Sequence, residues 1–272
     1  MDLRDIRSLL FVPGHRGDRF AKAAASGADV VCVDLEDAVA PADRAAARAQ
    51  VLQFLAAQPA QHRFGLRINA VDTPDGERDL AALAQAQVAP AFVLVAKTES
   101  AAQLCRVAAT APASPLIALV ETALGLLAAD EIARAHPQLQ ALMLGGADLC
   151  ADLGCSFAWE PLLYARSRLV AAAAQAKLAT IDVPWLGVAD AAGAEAEARR
   201  VAALGYSAKA LIHPAQVAPV HAGLMPAAEA VESARRIVQA AAGSAAAVLV
   251  DGRMVDRPVV LAAERLLRRA GH

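Results

Sequence analysis

Short apolar runs alternate with alanine-rich stretches of helical character along most of this chain. The apolar runs predict eight strands, at Ser8–Val12, Val30–Leu35, Arg63–Asn69, Ala91–Ala96, Leu116–Glu121, Ala141–Gly145, Ile181–Leu186 and Ala208–Ile212. The segments between them predict helices, at Pro41–Ala57, Glu77–Gln87, Ser100–Ala109, Leu124–Arg134, Glu160–Lys177, Ala191–Leu204 and Ala215–Gly223. Strands that are apolar throughout are buried on both faces, which is typical of a parallel sheet flanked by helices.

Eight strand–helix units in one chain predict a (β/α)8 TIM barrel in preference to an open doubly wound sheet. We expect this barrel to occupy residues 1–224. Beyond it the pattern predicts a helix at Ala227–Ala242, a short strand at Val248–Val250 and a helix from near Pro258. We expect this C-terminal extension, residues 225–272, to act as a lid or as an arm that forms oligomers.

Composition and charge exclude several classes of protein. The 26 Lys and Arg residues nearly balance the 28 Asp and Glu residues, and no basic cluster with interleaved aromatic residues occurs, so we expect no nucleic-acid partner. Hydrophobic residues make up 57% of the chain, but its longest apolar run, Leu116–Ala129, is interrupted by Glu121 and Thr122. We therefore expect no membrane span. The N-terminus lacks a signal-peptide pattern, so we expect a cytoplasmic protein.

The four cysteines lack the paired spacing of a metal site. Free cysteine packs as a small apolar residue, and we expect all four to be reduced structural thiols. They are Cys32, Cys105, Cys150 and Cys155.

Charged and polar residues follow nearly every predicted strand. The active site of a TIM barrel lies at the C-terminal ends of its strands, and charged groups there cost free energy unless they are paired. We therefore expect the functional site at this rim. Its charged and polar residues include Arg16, Asp34, Glu36, Asp37, Arg67, Asn69, Lys97, Glu121, Asp148 and His213.

Glu121 and Asp148 are the candidate metal ligands. They follow consecutive predicted strands, in the segments LIALVE and ALMLGGAD, so both carboxylates should point into one cavity. Oxygen ligands without His or Cys favour Mg²⁺, with Mn²⁺ as an alternative. The competing interpretation is that each carboxylate forms an ion pair with a base such as Arg67 or Lys97.

Arg67 is the candidate for bidentate capture of a substrate carboxylate, because its planar guanidinium matches that group. The competing interpretation is an internal salt bridge to Glu36 or Asp37. Asp34, Glu36 and Asp37 are candidates to hold metal-bound water or to orient Arg67. Equally, these three acids could cap the helix that begins near Pro41.

Seven motifs together resemble one known family. They are RSLLFVPGHR (7–16), VDLEDAV (33–39), RIN (67–69), ALVET (118–122), GGADL (145–149), IHPAQ (212–216) and DGRMVDRPVV (251–260). Their order over essentially the whole chain resembles the citrate lyase β-subunit-like family, part of the HpcH/HpaI aldolase/citrate lyase superfamily with malyl-CoA and citramalyl-CoA lyases. The resemblance implies a TIM barrel.

The resemblance also implies a role for individual site residues. It implies a Mg²⁺ ion held by Glu121 and Asp148. Arg67 would then grip the carboxylate of a keto acid. The same resemblance places a further set of residues near the CoA or acyl-carrier moiety, namely Phe11, Arg16 and Lys22.

Asp256, in the C-terminal motif, matches an aspartate that reaches into a neighbouring subunit's site in related CoA lyases. The resemblance implies that it is the base that deprotonates the thioester methyl group in the condensation direction. A closed homo-oligomer is then expected, with a trimer favoured.

The implied reaction is a Mg²⁺-assisted cleavage, or formation, of a 3-hydroxy-3-carboxyacyl-CoA thioester. Its partners would be acetyl-CoA and a 2-oxo acid such as oxaloacetate, pyruvate or glyoxylate. One alternative is a β subunit of a citrate lyase complex, whose substrate arrives on an acyl carrier protein. Another is a barrel that binds keto acids without turnover.

Overall fold

The computed structural model describes residues 2–59, 62–242 and 247–271, so the first and last residues of the predicted domains, Met1 and His272, lie outside the described residues. Its centre is a closed barrel of eight strands, each paired in parallel with the next, and the first closes on the last. The strands are β1 Ser8–Pro13, β2 Val30–Asp34, β3 Phe64–Ile68, β4 Val93–Val95, β5 Leu116–Val120, β6 Leu139–Leu144, β7 Ala179–Asp182 and β8 Ala208–Leu211. The predicted TIM barrel is confirmed.

Helices surround this barrel and continue into the C-terminal extension. They are α1 Phe20–Ala24, α2 Arg44–Ala56, α3 Pro74–Ala86, α4 Ala101–Thr110, α5 Ala123–Leu127, α6 Ala129–Ala133, α7 Gly146–Leu153, α8 Trp159–Ala176, α9 Ala191–Leu204, α10 Val217–Leu224, α11 Ala228–Ala241 and α12 Arg257–Arg269. The single helix predicted at Leu124–Arg134 is wrong, since two short helices flank Ala128. Among the described residues no helix is both long enough and apolar enough to cross a membrane.

Side chains along each strand alternate between the barrel interior and the layer of helices. The interior cluster contains Leu9, Val30, Cys32, Phe92, Leu94, Ile117, Leu119, Met143 and Ile181. Gly65 leaves room there for an aromatic ring, because a Cβ atom at this position would lie 2.3 Å from Phe92. Leu3 and Ile6 belong to the same cluster, and since they precede β1 they close the N-terminal end of the barrel. The functional site is therefore expected at the opposite end, where the strands have their C-termini.

The extension contains α11, an antiparallel hairpin of β9 (Val248–Val250) and β10 (Arg253–Val255), and α12. Helices α11 and α12 pack on each other, and Arg269 near the end of α12 donates a hydrogen bond to the Tyr206 carbonyl. The hairpin exposes Leu249 (75%) and Met254 (70%). The expected contribution of this extension to a neighbouring subunit stays a prediction.

Candidate active site

The predicted site residues share one face of the barrel because of strand periodicity. Cys32 and Leu119 point into the barrel, so the residues two positions later, Asp34 and Glu121, point there as well. Asp34 is also the register partner of Arg67 on β3. These strand ends open on a cavity of about 350 Å³, a volume in the usual range for small-molecule sites. Its walls include Phe11, Asp34, Asp37, Arg67, Leu119, Glu121, Met143, Gly145, Gly146, Asp148, Phe157, Val183, Pro184, Leu186 and Ile212.

Arg67 is held by acids at the end of β3. Its Nε and Nη2 atoms donate to the two carboxylate oxygens of Asp34 at 2.6 and 2.5 Å. Its Nη1 atom lies 3.0 Å from Glu36 Oε2 and 3.2 Å from Asp37 Oδ2. Burial alone would lower the pKa of Arg67, but these acids raise it above its ordinary value, so the side chain stays cationic. The internal salt bridges of Arg67 to Glu36 and Asp37, which were the alternative to substrate binding, are therefore present. Asp34 forms a further ion pair with Arg67.

Phe11 forms the other contact of this guanidinium. The Arg67 Cζ atom lies 5.0 Å from the centroid of the Phe11 ring, which is within the range of a cation–π interaction. The ring lies at an interior-facing position of β1, two residues after Leu9. Phe11 thus helps to fix the direction of Arg67 in the cavity.

Lys97, two residues after the end of β4, joins two carboxylates of the site. Its Nζ atom donates to Glu36 Oε1 at 2.5 Å, and its backbone N–H donates to Glu121 Oε1 at 2.8 Å. Burial raises the pKa of Glu36 from its ordinary value. The backbone of Lys97 has a φ of +48°, in the left-handed region that few residues other than glycine adopt. Such backbone strain concentrates at functional sites, where the surrounding structure holds it in place.

Glu121 is only 2% exposed. Burial, and then the nearby charge of Glu36, raise the pKa of its carboxyl group to about 8. Gly145 lies against it so closely that an added Cβ atom would be 2.4 Å from the Glu121 Cβ atom. A larger residue at position 145 would therefore displace the carboxylate.

Asp148 reaches the same cavity from a helix. The sequence placed it at the end of strand six, but β6 ends at Leu144 and α7 begins at Gly146. Asp148 lies in the first turn of α7, where a negative charge interacts favourably with the helix dipole. The two candidate metal ligands thus line one cavity, as expected, although one comes from a strand end and the other from a helix.

The site has more acidic than basic side chains. Five carboxylates meet two cationic side chains: Asp34, Glu36, Asp37, Glu121 and Asp148 against Arg67 and Lys97. Within the described ranges of the chain, no three His, Cys, Asp or Glu side chains form a complete metal cage. Mg²⁺ commonly takes one or two protein carboxylates and completes its shell with water and substrate oxygens. Two carboxylates at one cavity, one of them buried with a raised pKa, fit that ion.

Three predicted site residues lie away from the cavity wall in the part of the chain that the structure describes. Arg16 is in a surface ion pair with Asp18 at 2.7 Å, and Lys22 is exposed on α1. Asp256 caps the N-terminus of α12, where its side chain accepts a hydrogen bond from the Val259 N–H at 3.4 Å. The structure therefore brings together the Arg67 group and the two candidate metal ligands, and it leaves these three residues outside.

The apolar wall of the cavity was not predicted from the sequence. Leu186 and Ile212 line the cavity and are 58% and 43% exposed, and both stood at the ends of predicted strands. Their positions at the rim were therefore the signal that could have identified them. Phe157 had no such signal, because the loop after α7 brings it to the cavity through tertiary packing.

Known proteins match this chain along nearly its whole length. Residues 7–214 match the family described as HpcH/HpaI aldolase/citrate lyase. A citrate lyase subunit beta-like protein of Mycobacterium tuberculosis is 41% identical over 269 residues, covering 96% of this chain and 94% of the relative. A (3S)-malyl-CoA thioesterase of Cereibacter sphaeroides is 35% identical over 271 residues, covering 97% and 94%.

A solved structure shares the fold. The crystal structure of CitE from Mycobacterium tuberculosis in complex with magnesium, acetoacetate and coenzyme A has a TM-score of 0.87 at 40% identity. The match covers 99% of this chain and 100% of that one. The resemblance given by the seven motifs and the expected class of enzyme, a lyase, are both confirmed. This chain belongs to the HpcH/HpaI aldolase/citrate lyase family.

Proposed function

We propose that this chain is a Mg²⁺-dependent carbon–carbon lyase acting on a 3-hydroxy-3-carboxyacyl-CoA thioester. Cleavage would yield acetyl-CoA and a 2-oxo acid such as oxaloacetate, pyruvate or glyoxylate. The observation that carries this proposal is the meeting of Glu121, Asp148 and Arg67 in one cavity. The complex of the related CitE with magnesium, acetoacetate and coenzyme A supports it. We place this enzyme in the cytoplasm, a compartment in which thiols stay reduced.

Glu121 and Asp148 are the residues that would hold the ion. A bound Mg²⁺ supplies Lewis-acid polarisation of the substrate's oxygen. The Lys97 N–H fixes one oxygen of Glu121, so the carboxylate keeps its direction before any cation arrives. Asp148 adds the second charge from the first turn of α7. Mn²⁺, which has similar oxygen ligands, would serve as a substitute.

Arg67 would bind the carboxylate of the 2-oxo acid. Asp34, 1% exposed, holds the Nε and Nη2 atoms and fixes the plane of the guanidinium. Asp37 is 53% exposed and contacts Nη1, so an incoming carboxylate can replace it at low cost. During the reaction negative charge develops on the substrate oxygens, and the fixed cation Arg67, which lines the cavity, stabilises it.

The base for the condensation direction is assigned to Asp256 of a second copy of the chain. In the described chain Asp34, Glu36 and Asp37 are already engaged with Arg67, and Glu121 and Asp148 are assigned to the ion. Asp256 stands beside the hairpin that exposes Leu249 and Met254, an apolar surface suited to another subunit. The resemblance of the Asp256 motif to the CoA lyases favours a homotrimer. Asp256→Ala should abolish turnover while oxaloacetate binding by calorimetry is retained.

The proposed function is tested with the purified full chain, Mg²⁺ and a panel of malyl-CoA, citramalyl-CoA and citryl-CoA. The expected result is acetyl-CoA and a 2-oxo acid in equal amounts from at least one thioester, lost on addition of a chelator. Free CoA with an intact hydroxy acid would instead identify a thioesterase, like the Cereibacter sphaeroides relative. Cleavage of citryl-acyl carrier protein alone would identify a citrate lyase β subunit. Keto-acid binding without cleavage of any thioester would identify a barrel that binds keto acids but does not catalyse the reaction.

A further inference from the structure

The two cysteines at the end of α7 occupy paired positions of its C-terminal cap. Gly154 adopts a left-handed φ of +67°, and the Cys155 N–H donates to the Cys150 carbonyl at 3.0 Å. The Gly154 N–H donates to Ala151 at 3.3 Å. This is the Schellman pattern, in which the residues joined by the bond that spans six residues, here Cys150 and Cys155, commonly bring their side chains together.

The geometry of this cap suits a disulfide. The covalent bonds and the hydrogen bond between the two Cα atoms limit their separation to about 7 Å even if fully straightened. Disulfides form between Cα atoms about 4.4–6.8 Å apart. Burial, and then a hydrogen bond with the Cys155 thiol, raise the pKa of the Cys150 thiol to about 11. The Cys155 N–H bond to the Cys150 carbonyl places both side chains on the same side of the turn. Cys150 is 4% exposed, whereas Cys155 is half-buried and more accessible to solvent.

The pair also lies between two parts of the cavity wall. Cys150 follows Asp148 by two residues on α7, and Cys155 precedes Phe157 by two residues. The Cys150 Sγ atom donates to the Ser156 carbonyl at 3.4 Å, and the Ala158 N–H donates to the same oxygen at 2.9 Å. A bond between the two sulfurs removes the first of these donors and so loosens the segment that carries Phe157.

We propose that Cys150 and Cys155 form an oxidisable dithiol, a modification site at which a peroxide reversibly creates a disulfide. The Cys155 sulfur, as thiolate, attacks one peroxide oxygen and the O–O bond breaks. The hydroxide released takes up the proton that left Cys155, so one water and a sulfenic acid result. The Cys150 sulfur then attacks the Cys155 sulfur, the S–O bond breaks, and the Cys150 proton leaves with the hydroxyl group as a second water. The two thiols lose two electrons and the peroxide gains them. A dithiol reductant restores both thiols by exchange.

The experiment treats the purified full chain with a small excess of hydrogen peroxide and maps its peptides without reduction. The expected result is a Cys150–Cys155 cross-linked peptide in most chains, with two hydrogens lost and full recovery after dithiothreitol. Hydrogen exchange of the backbone amides at 154–158 should become faster in the oxidised chain. If both thiols stay reduced, or if Cys155 passes to a sulfinic acid without any cross-link, the proposal is wrong.

Single-cysteine variants separate this site from general thiol oxidation. Cys155→Ser should form no intramolecular disulfide, and Cys150→Ser should stop at a sulfenic acid on Cys155 that dimedone traps. Cys105→Ser is the matched control, because Cys105 is exposed and far along the chain from α7, so its loss should leave the cross-link unchanged. Circular dichroism confirms that each variant is folded. A cross-link to Cys105 in the unmodified chain, in place of the expected one, would contradict the assignment.

Discussion

Two groups of buried charges in this molecule differ in their balance. The first, which we call the outer cluster, lies between the barrel and its helices and consists of Arg166, Asp182, Glu197 and Lys209. Lys209 Nζ lies 2.7 Å from Asp182 Oδ2 and 2.6 Å from Glu197 Oε1, and Arg166 Nε lies 2.8 Å from Asp182 Oδ1. Two cations therefore meet two acids, and three of the four side chains are 1% exposed or less.

The second group, the rim cluster, is the set of five acids and two cations at the cavity. Both groups are built on neighbouring elements of the barrel, yet only the rim cluster leaves carboxylates without a matching cation in the described chain. Uncompensated buried charge is costly unless a ligand neutralises it. A balanced cluster thus holds elements together, while an unbalanced one marks a site for a cation.

The largest expected effect comes from breaking the balance of the outer cluster. Lys209→Met leaves Asp182 and Glu197 without their shared cation and also removes the donor to the Val183 carbonyl, 2.6 Å away. Losing one partner of a buried ion pair costs about 3–5 kcal/mol. The free energy of unfolding, measured by urea denaturation, should fall by about that amount.

The matched control is Arg199→Met, which removes an exposed pair with Glu195 on α9. Exposed pairs of this kind contribute roughly 0.3–0.5 kcal/mol, so this variant should behave almost as the unmodified chain. Equal stability losses in Lys209→Met and Arg199→Met would show that the outer cluster does not stabilise the fold as described.

The next effect comes from removing one acid of the rim cluster. Glu121→Gln should weaken Mg²⁺ binding by about 100-fold or more, because a neutral amide replaces a charged ligand. It should also stabilise the metal-free chain at pH 8. The pKa of Glu121 is about 8 in the folded chain, above the usual value near 4.3 for an unfolded one. Ionisation of Glu121 therefore destabilises the folded chain more and more as the pH rises from the unfolded-state pKa to the folded-state pKa.

Calorimetry with Mg²⁺ and thermal unfolding at pH 5 and pH 8 measure both parts of this prediction. The gain in Tm over the unmodified chain should be seen at pH 8 and should shrink towards pH 5, where Glu121 is protonated in the folded state. A Tm loss at pH 8 would mean that Glu121 belongs with the balanced, structural charges.

The pH dependence of Mg²⁺ binding tests the role of Glu121 in the rim cluster without any substitution. The ion requires the ionised form of Glu121, whose pKa is about 8. The affinity should therefore rise roughly tenfold per pH unit from pH 6 to 8 and become level above it. Calorimetric titrations at four pH values test this slope. A flat affinity from pH 6 upwards would contradict the assignment of Glu121 as a ligand.

The smallest effect concerns the exposed member of the rim cluster. Asp37→Asn frees the Nη1 atom of Arg67 from a partly solvated partner. We expect keto-acid binding to tighten by about threefold or less, since exposed ion pairs contribute under about 1 kcal/mol. Asp34→Asn is the comparison, because it removes the buried bidentate partner and should weaken binding instead. Fluorescence or calorimetric titration with oxaloacetate distinguishes the two variants.

The barrel and most of the rim could be predicted from sequence, because the β/α pattern repeats eight times and polar residues follow the strands. The pairing of Asp34 with Arg67 could not, since it depends on the register between β2 and β3. The left-handed backbone of Lys97 is held by contacts with Glu36 and Glu121, and no local pattern indicates it. The outer cluster was missed because its residues come from four separate elements, joined only by packing.

The most direct test of the rim cluster as a cation site is a calorimetric titration of Mg²⁺ into the full chain and into Asp148→Asn at pH 8.5. Asp148 is half-buried at the start of α7 and is outside the ion pairs that hold Arg67, so its change should lower the Tm only slightly, through the lost helix-dipole interaction. The unmodified chain should bind one Mg²⁺ ion, and the variant should show no measurable binding at equal concentrations. Equal Mg²⁺ affinity in both proteins would contradict the central claim.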